Sequence, residues 1–109
     1  MEQIREIASQ IDSHFRLELR GIKFVVGDSF YGKCSRDGIL TLKIEYSDGE
    51  LIPDIEVWRT LAHEMAHLRH FNHDTDFWYF NREVLNKISE IVGRKISPEV
   101  AFTKRGVVY

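Results

Sequence analysis

The segment HEMAHLRHFNH, residues 63–73, holds four of the five histidines of this 109-residue chain. It constrains the fold more tightly than any other feature, because only a helix followed by a reversal brings these side chains together. Residues four apart on a helix share one face, one turn apart, so His63 and His67 can reach a single ion. Glu64, about 100° further round, borders the same place. His70 would have to converge across two turns. At ~1.5 Å per residue it lies about 10 Å from His63 along the axis, so it is read as a surface or supporting residue. His73 on a continued helix would be some 15 Å away and becomes useful only if the chain folds back. Asn72 tolerates the left-handed conformation that ends helices, and the turn is expected there. Asp74 or Thr75 would then cap a following helix.

The pattern His63-Glu64-x-x-His67 is that of zinc hydrolases: two imidazoles hold the ion and the carboxylate takes a proton from water. With His73 as third ligand, one position stays open for water, which is the catalytic arrangement. A purely structural zinc would be closed by a fourth ligand, for which Cys34 and Asp76 are the candidates. A bland polar helix face would leave the other histidines unexplained.

The rest of the chain supplies an α+β frame. Ile4, Ile7, Ile11 and Phe15 fall at helical spacing within Glu2 to Arg20, with Gly21 as the expected stop. Ile22 to Val26 reads as a strand. Phe30 to Ser35 and Ile39 to Tyr46 flank Arg36-Asp37-Gly38 and predict a hairpin. Ile39, Thr41, Lys43 and Glu45 alternate against Leu40, Leu42, Ile44 and Tyr46, as in a half-buried strand. A second helix is expected from Pro53 and Asp54, carrying Val57, Leu61, Met65 and Leu68 into the histidine cluster. A third, from about Thr75 to Gly93, carries Phe77, Phe80, Val84, Ile88 and Ile91 as one core-facing stripe. The length suits one domain, residues 1–109. A net charge of −2 gives no electrostatic reason to expect nucleic acid. One cysteine, Cys34, forms no internal disulfide and is expected to be a small, mostly buried residue. No run approaches the ~18 apolar residues of a membrane span and the start does not read as a signal peptide, so a soluble cytoplasmic protein is expected.

HEMAHLRHFNHDTDFW resembles the signature of small gluzincin-type zinc peptidases, above all the minigluzincins, in which HExxH is followed by a third histidine, an acidic or serine residue and Phe-Trp. It is also similar to bacterial metal-dependent hydrolases whose motif reads HELAHL…NHS..FW, and to the WLM-domain proteases. The upstream YGKCSRDGILTL is similar to the RWGSCS…G.L.L hairpin of those hydrolases. Together the similarities span about residues 30 to 85. Metzincins carry glycine where this chain has His70, which disfavours that clan. Most gluzincins use a downstream glutamate as third ligand, for which Glu83 is the candidate, whereas minigluzincins use a histidine, matched here by His73.

The resemblance implies a small metallopeptidase fold, with a three-stranded sheet packed on about three helices including the HExxH helix. It implies Zn2+ on His63, His67 and His73, Glu64 as catalytic base, and a peptide or protein substrate. The peptide would be held extended by an edge strand within Phe30 to Tyr46. Tyr31, Tyr46, Tyr79 and His70 are candidate oxyanion donors. Minigluzincins are blocked by their own C-terminal segments, so residues 98–109 are expected either to lie in the cleft or to extend the fold. A zinc-binding regulatory module without turnover is the competing reading, and a non-peptide hydrolase the weakest.

Overall fold

The computed structural model describes residues 2–27 and 29–97, together with the backbone of 102–103 and 106–107. Helix α1 spans Glu2–Phe15 and β1 spans Gly21–Val26. The hairpin strands are β2, Gly32–Cys34, and β3, Ile39–Glu45. Helices α2, Asp54–His67, and α3, Thr75–Val92, follow. Beyond them β4, Phe102–Thr103, pairs antiparallel with β5, Gly106–Val107. The expectation that residues 98–109 fill a cleft otherwise falls outside the described residues. No helix among the described residues is long and apolar enough to cross a membrane.

The sheet runs β1-β3-β2, with β1 parallel and β2 antiparallel to the central β3. The Asp37-Gly38 hairpin forms as expected. Gly38 has φ +91°, and a Cβ there would fall 3.0 Å from the Glu18 carbonyl, so conformation and space both require glycine. Leu40 and Leu42 of β3 are fully buried with Leu61 and Met65 of α2 and Phe77, Val84, Leu85 and Ile88 of α3. Alternation along β3 breaks at Lys43, which is 3% exposed although it belongs to the more polar face. Its ammonium lies 4.1 Å from the centre of the Tyr31 ring and 5.1 Å from that of Tyr46. The two tyrosine hydroxyls hydrogen-bond to each other at 2.9 Å. Two electron-rich ring faces give this cation its local partners.

Two helix ends differ from the sequence reading. The first helix stops at Phe15, well before Gly21. The Asp12 carboxylate accepts from the backbone N–H groups of Leu17 and Leu19, and Arg16 and Glu18 take positive φ. A side chain that satisfies backbone donors offers the chain an alternative to further helix. The second helix stops at His67 instead of Asn72. Leu68 and Arg69 N–H groups bond three residues back, to Met65 and Ala66, so the last turn tightens and ends. Arg69 then fixes this turn to α1 by donating to the Phe15 carbonyl at 2.6 Å, with its guanidinium over the Phe80 ring.

Candidate metal centre

His63 and His67 project from successive turns of α2, and the reversal after His67 returns His73 to them. The three Nε2 atoms stand 3.2, 3.1 and 3.0 Å apart. Three imidazole nitrogens aimed at one point, with room for at most one proton in each gap, form a donor set for a cation. They suit one small ion at the ~2.0–2.1 Å of an imidazole–zinc bond. Among the described residues this trio is the one cluster of histidine, cysteine and acidic side chains with metal-binding spacing, and neither Cys34 nor Asp76 belongs to it. Glu83, the alternative third ligand, is exposed on α3 beside His14, Asn86 and Lys87.

Phe77 is the floor of the site. Fully buried in α3, its ring centre is 4.5 Å from that of His67, 4.9 Å from His73 and 5.0 Å from His63. The sequence marked Phe77 as core; its position four residues after His73 was the available sign of a second role. Asp74 sets this geometry, because its carboxylate accepts from the Phe77 N–H at 2.9 Å and so caps α3 directly after His73. Trp78 stacks on His73 with centres 5.6 Å apart and lies 5.8 Å from His63.

His70 enters through its backbone. Its carbonyl accepts from His67 Nδ1 at 3.0 Å. A carbonyl only accepts, so His67 carries its proton on Nδ1 and leaves Nε2 as a lone pair facing the other two rings. Burial lowers the pKa of His67. Burial, then the neighbouring His67 and His73, lower that of His63 to about 3. Both rings are thereby held in the neutral form that ligates metals.

Glu64 is 5% exposed, and burial raises its carboxyl to about 7. Gly32 of β2 packs directly on it: a Cβ at Gly32 would lie 2.9 Å from Glu64 Cγ and 2.6 Å from Thr60 Cγ2. The sequence reading passed over Gly32, since nothing local distinguishes a glycine needed for close approach. Lys43 N–H bonds to the Tyr31 carbonyl and Ser35 N–H to that of Ile39. By antiparallel alternation, the N–H and C=O of Gly32 and Cys34 therefore face away from β3. Among the described residues β2 is an edge strand, so these groups line an open edge beside Glu64.

Of the expected oxyanion donors, Tyr46 is buried with Ile52 and Val57 at the other end of α2, and Tyr31 is bonded to it. The His70 ring packs on Phe80. Tyr79 is exposed on α3 beside Trp78.

The model of one protein family, described as YgjP-like, metallopeptidase domain, matches residues 1–93. The chain belongs to this family. The small-metallopeptidase resemblance of the HEMAH segment and the α+β fold agree with that membership. No curated protein and no solved structure gave a significant match. For a YgjP-like metallopeptidase, a three-histidine cluster able to hold a metal beside a buried carboxylate is a coherent hydrolytic site.

Proposed function

We propose that this metallopeptidase is a zinc-dependent endopeptidase, with zinc on His63, His67 and His73 and Glu64 as the proton-transfer residue. The observation that carries the reading is the convergence of three Nε2 atoms within 3.0–3.2 Å of one another, two of them from the helix whose Glu64 lies under an open strand edge. When bound, zinc supplies Lewis acidity, which lowers the pKa of water and polarises the scissile carbonyl. Gly32 and Cys34 hold the substrate as an added strand through their outward N–H and C=O groups. Glu64 takes a proton from the attacking water as its oxygen bonds to the carbonyl carbon. It delivers that proton to the amide nitrogen as the C–N bond breaks, giving an acid and an amine. The His70 carbonyl and Phe77 hold the imidazoles in place throughout.

Glu64→Gln tests this. The variant should keep its zinc and lose on the order of 10³-fold or more in peptide hydrolysis, toward the upper end of general-base contributions. A variant that retains the function of the wild type would favour a zinc-binding module without turnover.

Residues 98–109 are proposed to restrain the enzyme by occupying the cleft. The Ser97 carbonyl accepts from Arg59 Nε at 2.9 Å, so the segment starts one to two turns of α2 from the histidines. The five residues from Ser97 to Phe102 reach at most about 17 Å, enough to bring the β4–β5 hairpin to the histidines. Removing it should raise hydrolysis by the zinc-loaded protein; unchanged or lower activity in a folded variant counts against restraint.

A further inference from the structure

We infer that the α3 face formed by Trp78, Tyr79 and Arg82 is a substrate subsite, and that it selects a large apolar side chain close to an acidic one. This inference rests on the peptidase reading. Trp78 and Tyr79 are among the few large hydrophobic side chains exposed among the described residues, at 43% and 67%. They are not scattered. With Thr75 and Arg82 they line one concavity of about 210 Å³ at helical spacing on α3. The concavity adjoins the metal centre through Trp78, which stacks on His73 and lies beside His63. The metal centre thus has two unlike neighbours. Gly32 and Cys34 of β2 offer backbone groups that read no sequence, and α3 offers side chains that do.

The occupant follows from the lining. Two exposed aromatic faces beside the reaction centre favour an aromatic or long aliphatic side chain. Arg82 makes no ion pair among the described residues, and its guanidinium forks toward carboxylates. It lies one helical turn, about 6 Å, from Trp78. An extended peptide covers that distance in about two residues. A carboxylate two positions from the apolar side chain therefore reaches Arg82.

The test uses the full-length, zinc-loaded protein with a peptide set, titrated to millimolar concentration, that varies one apolar and one charged position independently. Cleavage is read by mass spectrometry, and binding by calorimetry on the Glu64→Gln variant. Peptides with an apolar residue two positions from Asp or Glu should be preferred. Trp78→Ala should lower kcat/KM or affinity for them on the order of tenfold, as for other apolar pockets. Arg82→Glu should reverse the preference from acidic to basic peptides while zinc content and helical signal stay unchanged. Selective binding that needs Trp78 and Arg82, without cleavage of any peptide, supports the subsite and overturns the peptidase reading. Cleavage indifferent to both substitutions overturns the subsite and leaves the peptidase. Neither binding nor cleavage, by the full-length protein and by a folded variant lacking residues 98–109 alike, overturns both.

Discussion

Gly32 and Glu64 are separated by less than a side chain: a methyl group on the Gly32 Cα would lie 2.9 Å from Glu64 Cγ and 3.1 Å from Oε2. This contact sets how closely the β2 edge approaches the carboxylate. Gly32→Ala must push the strand from α2, with an overpacking cost of about 1–3 kcal/mol. It should lower peptide hydrolysis at least tenfold while zinc is retained, because His63, His67 and His73 do not touch Gly32. Thr60→Ser removes the methyl that a Gly32 side chain would meet at 2.6 Å, so the double variant should regain part of the stability. Additive losses in denaturant melts would contradict this account.

Glu64 and His63 bend the stability of the metal-free protein in opposite directions with pH. Glu64 is raised from 4.5 to about 7 in the fold, so its contribution is full below pH 4.5 and is lost as pH rises through 7. His63 is lowered from 6.5 to about 3, so its contribution is full above pH 6.5 and is lost as pH falls through 3. Comparing wild type with Glu64→Gln isolates the first effect. The stability of wild type relative to the variant should fall by up to about 3 kcal/mol between pH 4.5 and 7. A flat difference would show that Glu64 is not held protonated.

His70 and His73 should separate cleanly in metal-binding assays. His70→Ala keeps the backbone carbonyl that orients His67 and should leave zinc affinity within a few-fold of wild type. His73→Ala removes one of three converging nitrogens and should cost on the order of 100-fold or more, beyond the usual loss from a supporting residue. Glu83→Ala, remote and exposed, should change nothing. Zinc loss on Glu83→Ala with retention in His73→Ala would reverse the ligand assignment.

Cys34 should be a poor nucleophile. Burial first, then Glu64 and Asp37, push its thiol from 9.0 to about 12. At pH 8 its thiolate fraction, and so its alkylation rate, should be on the order of 10³-fold below that of a free cysteine. The rate should climb about tenfold per pH unit through the alkaline range. Labelling by iodoacetamide at pH 8 as fast as free cysteine would refute the burial of this thiol beside Glu64.

Much of this site could be read in the sequence because helix geometry is local. His63 and His67 four apart, Glu64 between them, Asp74 as a cap, and the Asp37-Gly38 hairpin all follow from fixed rises, rotations and turn conformations. What the sequence left open was where elements end and how closely they meet. The second helix ends at His67 and not at Asn72, and that earlier stop turns the His70 carbonyl onto His67. Asp12 ends the first helix ahead of Gly21. Phe77 serves as both core and floor to three imidazoles, and Gly32 sets the approach of an edge strand to Glu64. The last two depend on packing between residues distant in the chain, whereas the helix ends turn on short-range hydrogen bonds, to the His70 carbonyl and to the Asp12 carboxylate, that residue periodicity does not register. Residue spacing offered His63, His67 and His73 as candidate ligands, and the family resemblance set His73 ahead of Glu83; tertiary packing decided their convergence, their neutral state and the strand above them.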